Sequence, residues 1–142
     1  MANELDEQDG LAGGVFVVTG ATQGIGEAIA SRLAKQGAAG IVVAGRDKAR
    51  ADDVVQRIEA FGAKAIAVTG DLAEVETCRR IMTIADEVFG RVDGLVNAAG
   101  LTDRGTIYDT TPEIWDRLFA VNARAPFFLI QEAVQIMRRE GI

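Results

Sequence analysis

Short apolar runs alternate with amphipathic segments along the chain. The apolar runs are rich in β-branched and small residues and cover residues 15–18, 41–44, 65–68 and 94–96. Continuous runs of this length are typical of strands that are buried on both faces of a parallel sheet. Between them, apolar residues recur at helical spacing, as at Ile25, Ile29 and Leu33. Four strands alternating with helices predict the α/β class, with right-handed crossovers between parallel strands.

The same spacing predicts three further helices. The second has an apolar side running from Val54 to Phe61, and the third covers about residues 74–89. A Thr-Pro pair at 111–112 supplies an N-cap and a proline at the first helical position, so a fourth helix is expected from there to about residue 139. Pro126 lies within it and is expected to kink or interrupt it.

Length and composition fit one globular domain of 142 residues with a net charge of −6. Residues 1–10 carry four acidic side chains around one leucine and are predicted to be a flexible tail, which leaves residues 11–142 as the domain. The acidic balance without a basic cluster argues against a nucleic-acid partner. No apolar run is long enough to span a bilayer, so no membrane association and a cytoplasmic location are expected. Cys78 is the only cysteine and falls on the predicted apolar face of the third helix.

Residues 19–26 read Thr-Gly-Ala-Thr-Gln-Gly-Ile-Gly and lie between the first strand and the first helix. Glycines at such a turn let the backbone approach a pyrophosphate, and the helix N-terminus directs free N–H groups at the anion. The candidate phosphate-binding residues of this turn are Gly20, Thr22, Gln23, Gly24, Ile25 and Gly26. The spacing alone is a weak signal, and a glycine-rich turn that binds nothing is the alternative.

Two other strands end in unusual residues. Asp71 and Leu72 follow the third strand, while Asn97, Ala98, Ala99 and Gly100 follow the fourth. Ligands bind at the carboxyl ends of strands in open α/β sheets. These residues therefore join the glycine turn in one candidate site.

At this point the chain resembles the classical short-chain dehydrogenase/reductase family. The similar features are the glycine turn, Asp71-Leu72, the Asn-Ala-Ala-Gly run at 97–100, and Asn122 in the later helix. The resemblance implies a Rossmann-like doubly wound parallel sheet, incomplete with four strands, and an NAD(P)-binding domain over residues 11–142. It also implies that Asp71 and Leu72 border an adenine ring and that residues 97–100 pass close to the cofactor. Ala98 departs from the second Asn that is commoner in the family.

Two of these residues have alternatives that the sequence leaves open. Asp71 could be purely structural and hold its own turn. The cofactor choice rests on Arg46, which follows the second strand where an arginine suits a 2′-phosphate and an acidic residue would suit a ribose hydroxyl. NADP is therefore favoured over NAD. Gln23 is a departure, because NADP-preferring relatives often have a second basic residue at that position. The alternative is that Arg46 is a solvated charge at the start of a helix and contacts no cofactor.

The resemblance implies hydride transfer between a nicotinamide and a small carbonyl or alcohol substrate, with a Ser, a Tyr and a Lys joining Asn122 in the catalytic set. The chain contains one serine, Ser31, and one tyrosine, Tyr108, and Pro112 occupies the position of the partner lysine. There is no histidine, and no metal site is expected. We expect the chain alone to be inactive and to stop before the catalytic half. The alternative is a non-catalytic nucleotide-binding or assembly subunit that forms a homo-oligomer or pairs with a related subunit.

Overall fold

The computed structural model describes residues 10–142, so most of the predicted acidic tail lies outside the described residues. The strands are β1 (Val15–Thr19), β2 (Gly40–Gly45), β3 (Lys64–Thr69) and β4 (Gly94–Asn97). The helices are α1 (Gly24–Lys35), α2 (Lys48–Ala60), α3 (Val75–Phe89), α4 (Pro112–Phe119) and α5 (Ala125–Glu140). Each strand is one or two residues longer than the apolar run that predicted it.

The four strands form one parallel sheet in the order β3-β2-β1-β4. The register places Thr19, the last residue of β1, beside Ala44 of β2 and Asn97 of β4. The carboxyl ends of the central strands therefore lie level with one another, at the edge where ligands bind in such sheets. The predicted α/β class with four parallel strands is confirmed.

The sheet is covered by helices on both faces, which makes it doubly wound. Phe16, Val18, Ile41 and Val43 pack with the buried residues of α1 and α2. The intervening residues of the same strands, Val17 and Val42 among them, pack with α3 and α5. Because successive strand residues point to opposite faces, continuous apolar runs are required to fill both layers.

Cys78 is buried in the layer of α3 and α5, as its position predicted. Its Sγ lies 3.7 Å from the carbonyl oxygen of Leu72, and burial raises the pKa of the thiol. The residue is therefore a packed thiol in the core of the domain.

The predicted fourth helix is divided into α4 and α5 by a π-helical turn at Ala120–Arg124. Pro126 lies in the first turn of α5 and has no N–H group to donate to the preceding turn, which is where the π-helical turn lies. The predicted interruption is confirmed, although it takes the form of a wider helical turn before the proline rather than a kink at it. Such turns accommodate one extra residue in an otherwise continuous helix.

Two apolar residues at helical spacing are exposed. Ile25 is 76% exposed and Phe61 is 47% exposed. Ile25 lies in the first turn of α1, and Phe61 follows the last residue of α2. Both therefore lie at helix ends, outside the buried stripes of α1 and α2.

One apolar stripe of α5 is buried in the core, but further apolar side chains of α4 and α5 are uncovered, and β4 forms an edge of the sheet. Five large side chains on these helices are between 45% and 60% exposed, namely Trp115, Phe119, Phe127, Ile130 and Val134. The rings of Trp115 and Phe119 stack with centroids 4.7 Å apart. These side chains form an exposed apolar face on α4 and α5. Within residues 10–142, every helix is too short or too polar to cross a membrane.

Asp93 connects the start of β4 to the start of β1. Its Oδ2 accepts hydrogen bonds from the backbone N–H of Val15 at 2.8 Å and from Nε of Arg91 at 2.9 Å. The Arg91 guanidinium, reinforced by the Val15 hydrogen bond, lowers the pKa of the Asp93 carboxyl. Because that pKa is lower in the folded protein than in the unfolded chain, the carboxylate stabilises the fold above about pH 4, and the contribution is lost as the pH falls below that value.

We therefore expect Asp93→Asn to lower the free energy of unfolding by about 1–2 kcal/mol at pH 7. Urea denaturation at a series of pH values should find that the difference from the unsubstituted chain shrinks between about pH 4 and pH 2. Asp53→Asn on α2, where the side chain is exposed and makes no hydrogen bond within residues 10–142, is the matched control. A difference that persists at pH 2 would contradict the electrostatic explanation.

Candidate cofactor site

A cleft of about 660 Å³ opens at the carboxyl ends of the strands. Its floor is formed by the turn between β1 and α1 and by the segments that follow β2, β3 and β4. Arg117 of α4 and Val121 of the π-helical turn close one side. The topology therefore brings together segments that are up to a hundred residues apart in the sequence.

Most of the predicted site residues line this cleft. They are Gly20, Thr22, Gln23, Gly24, Ile25, Gly26, Arg46, Asp71, Leu72, Ala98, Ala99 and Gly100. Asn97 and Asn122 are exposed and are not among the lining residues within the described part of the chain. Asn97 ends β4, whereas Asn122 contacts the loop that follows it.

The glycine turn depends on two close backbone approaches. Gly20 has a φ of 63°, and a Cβ added there would lie 2.7 Å from the backbone nitrogen of Ala99. A Cβ added at Gly26 would overlap the carbonyl oxygen of Gly20. A side chain at Gly20 would therefore separate the glycine turn from the segment after β4. A side chain at Gly26 would separate the first turn of α1 from the end of β1.

Gly24 differs from these two glycines because an added Cβ would meet nothing within 4 Å. Its backbone faces the open cleft, beside Gln23 at the N-cap of α1. Gln23 makes no side-chain capping bond, so the first N–H groups of α1 keep their capacity to bind an anion.

Two threonines hold the strand ends in place. Oγ1 of Thr19 donates to the carbonyl oxygen of Val96 and accepts from the N–H of Ala99, both at 3.4 Å. The methyl group of Thr22 packs over Gly45, where an added Cβ would overlap it. These contacts fix the glycine turn against both neighbouring strands.

Asp71 is held at two points at the end of β3. Its Oδ1 accepts from the N–H of Ala73 at 2.9 Å, which is the turn-holding bond that the structural alternative required. Its Oδ2 accepts from Nη1 of Arg117 at 2.6 Å. The Arg117 hydrogen bond is the main reason why the pKa of Asp71 is lowered, and the Arg46 charge adds to the effect.

The end of the cleft beside β2 carries two guanidinium groups. Arg46 follows β2, and Arg50 lies one helical turn further along in α2. Nη1 of Arg50 donates to Oε1 of Gln23 at 2.5 Å, and its backbone N–H donates to Oδ1 of Asp47 at 3.0 Å. Two permanent positive charges therefore lie within reach of an anionic group bound there.

Asn122 makes a paired contact with the segment after β4. Its Oδ1 accepts from the N–H of Leu101 at 2.8 Å, and its Nδ2 donates to the carbonyl oxygen of Leu101 at 2.7 Å. The Asn122 amide thus pairs with both backbone polar groups of Leu101, as a neighbouring strand would, and holds the loop beside Gly100 in place.

The sequence analysis missed several residues that line the cleft, above all Arg50 and Arg117. Arg50 could have been found, because it follows Arg46 by only four residues, at the start of the helix predicted after the second strand. Arg117 had no such signal, since its partner Asp71 is 46 residues away. The remaining missed residues are Gly45, Asp47, Gly70, Leu101 and Val121.

A cleft at the ends of parallel strands, with a glycine turn leading into a helix, defines a nucleotide-binding α/β domain. The family model described as short chain dehydrogenase matches residues 14–141. The chain belongs to this family, and the resemblance predicted from the motifs is confirmed.

Relatives and solved structures agree with this assignment. Versicolorin reductase 1 of Aspergillus parasiticus is 40% identical over 131 residues, which cover 92% of this chain and 50% of that protein. The crystal structure of L-sorbose reductase from Gluconobacter frateurii, complexed with NADPH and L-sorbose, matches with a TM-score of 0.88 and 34% identity, over 92% of this chain and 49% of that one. A short chain dehydrogenase from Burkholderia cenocepacia in complex with NADP matches with a TM-score of 0.85 and 39% identity, over 88% and 51%. The chain spans about half the length of these proteins.

The close packing of Gly26 against the carbonyl group of Gly20 can be tested by substitution. We expect Gly26→Ala to destabilise the fold by about 1–3 kcal/mol, because its Cβ would force the first turn of α1 away from Gly20. Gly100→Ala is the matched control in the same cleft, since its Cβ would meet only Oδ1 of Asn122 at an ordinary 3.5 Å. Thermal denaturation of both variants distinguishes them, and equal melting temperatures would rule out the packing argument.

Proposed function

We propose that residues 11–142 are the NADP(H)-binding domain of a short chain dehydrogenase that interconverts a small carbonyl compound and an alcohol. The observation that carries the proposal is the glycine turn, which opens into the cleft at the N-terminus of α1. Open space over Gly24 and free helix N–H groups suit a pyrophosphate. When bound, the nicotinamide supplies or accepts a hydride.

The remaining cleft residues suit the other parts of a dinucleotide. In this proposal Asp71 and Leu72 border the adenine, and Ala98 to Gly100 pass beneath the nicotinamide side; all of these residues line the cleft. Arg46 and Arg50 favour NADP over NAD, because a guanidinium pairs with a 2′-phosphate and the β2 end carries Gly45 where a carboxylate would favour NAD. The complexes of L-sorbose reductase with NADPH and of the Burkholderia cenocepacia protein with NADP support this choice.

Catalysis needs groups that these 142 residues do not contain. Asn122 is the one residue of the family's catalytic set that the motif assigns here, and its proposed role is to hold the loop at Leu101. A tyrosine proton donor works near neutral pH only beside a cation, and Tyr108 is exposed with Pro112 four residues on. We therefore propose that the chain alone binds cofactor without turning over substrate. The cytoplasm, where a lone thiol such as Cys78 stays reduced, is its proposed location.

Cofactor binding can be measured directly by titrating the chain with NADPH and NADH and following nucleotide fluorescence. We expect tighter binding of NADPH, and Arg46→Ala should weaken NADPH binding by roughly tenfold while leaving NADH binding nearly unchanged, because only NADPH carries the 2′-phosphate. Arg32→Ala on α1, outside the cleft, is the charge-matched control. If neither nucleotide binds at millimolar concentration, the proposed function is wrong.

A second candidate function is supported by the exposed apolar face of α4 and α5. Phe127, Ile130 and Val134 follow one another at helical spacing on α5, and each is at least 45% exposed. A face of this kind on a small domain marks an association surface. We propose that it joins a second copy of the chain or a related subunit, so that the chain can also act as a non-catalytic assembly partner.

Sedimentation velocity tests this association. The chain is expected to sediment as a dimer or larger species, and Phe127→Gln should shift the distribution towards monomer because it removes apolar area from the face. Phe61→Gln is the control, since Phe61 is similarly exposed but follows α2 on the opposite face of the sheet. A monomer at all concentrations, or an equal shift with both variants, argues against this surface.

A further inference from the structure

The carboxylate of Asp71 pairs with Arg117 at the proposed adenosine end of the cleft, which Arg46 also lines. Arg117 donates to Oδ2 at 2.6 Å, while Oδ1 accepts from the N–H of Ala73 at 2.9 Å. Arg46 lines the same cleft, and its charge contributes to the lowered pKa of Asp71. Both carboxylate oxygens of Asp71 therefore accept hydrogen bonds from groups other than Arg46.

The three arginines of the cleft differ in their partners. Arg117 pairs with Asp71, and Arg50 donates to Gln23. Arg46 has neither a hydrogen bond nor an ion pair within residues 10–142, although it lines the same cleft as Asp71. Arg46 is thus the guanidinium whose donors remain available to a ligand.

A free carboxylate beside Arg46 would oppose phosphate binding in two ways. It would repel the phosphate dianion, and it would compete for the donors of Arg46. Five charged side chains line the cleft, three arginines (46, 50 and 117) and two aspartates (47 and 71), for a net charge of +1. Without Arg117 that charge falls to zero, in a protein whose overall charge is −6.

We propose that Arg117 is a positioning residue for phosphate recognition: by holding Asp71, it keeps Arg46 available for the 2′-phosphate and so sets the preference for NADP over NAD. This role rests on the proposed function, since it requires that the cleft bind a dinucleotide. Arg117 itself need not touch the phosphate. Its effect is transmitted through the carboxylate that it holds.

The experiment compares two ligands that differ only in the 2′-phosphate, 2′,5′-ADP and 5′-AMP, by isothermal titration calorimetry on the intact chain. We expect Arg117→Gln to reduce the preference for 2′,5′-ADP by roughly fivefold, which is the size expected for a charge several ångströms away in a partly solvated site. Arg117→Lys keeps the positive charge and should retain most of the preference. The effect should weaken at 0.5 M salt, because screening shortens the range of the charge.

A double-variant cycle distinguishes this role from a structural one. Asp71→Asn removes the competing charge while its amide oxygen can still accept from Ala73, so Arg117→Gln combined with Asp71→Asn should restore the preference. Loss of affinity for both ligands by the same factor in Arg117→Gln, or no restoration in the double variant, overturns the inference.

Two controls keep the outcomes separate. If the unsubstituted chain binds neither 2′,5′-ADP nor NADPH, the proposed function fails, whereas normal binding with an unchanged preference in Arg117→Gln refutes only the role of Arg117. Should Arg117→Gln fail to fold, the cycle is run with Arg117→Met, and circular dichroism establishes that each variant retains its helices before it is titrated. An unchanged preference in a folded Arg117→Met then overturns the inference in the same way.

Discussion

The contact of Gly26 with the carbonyl group of Gly20 is the constraint on which the rest of the site depends. It sets how closely the first turn of α1 approaches the end of β1, and it is possible only because position 26 has no side chain. Gly20 in turn lies against the backbone of Ala99, so the same turn also determines where the segment after β4 runs. Three backbone segments are brought within van der Waals distance with no side chain between them. A ligand placed there meets N–H groups and helix dipole rather than apolar surface.

Around this turn, polar side chains act mainly as connectors between strand ends. Thr19 connects β1 to the segment after β4, and Asn122 connects that segment to the helical layer. Asp93 joins the other ends of the same two strands. These hydrogen bonds join β1 to the residues that flank β4 and hold the segment after β4 against the helical layer. The apolar layers fix the sheet, while the polar connectors fix the loops of the cleft.

How much could be predicted from the sequence depended on the distance between interacting residues. The strands and the glycine turn were predictable because the period of apolar residues and the positions of glycines are local signals. The pairing of Arg117 with Asp71 and of Arg50 with Gln23 was not, since these residues are 46 and 27 positions apart and depend on the packing of α4 and α2. Pro126 correctly marked an interruption, but a proline does not specify that the preceding turn is π-helical.

The π-helical turn at Ala120–Arg124 has a consequence for the evolution of the site. One additional residue in a helix rotates everything beyond it by about 100° relative to what came before. Here that rotation directs Leu129 and Ala133 of α5 into the core while Asn122 faces the loop after β4. Deletion of a single residue from this turn would restore a regular helix, yet it would misalign either the core-facing stripe or the asparagine. The irregularity therefore makes this stretch intolerant of length change.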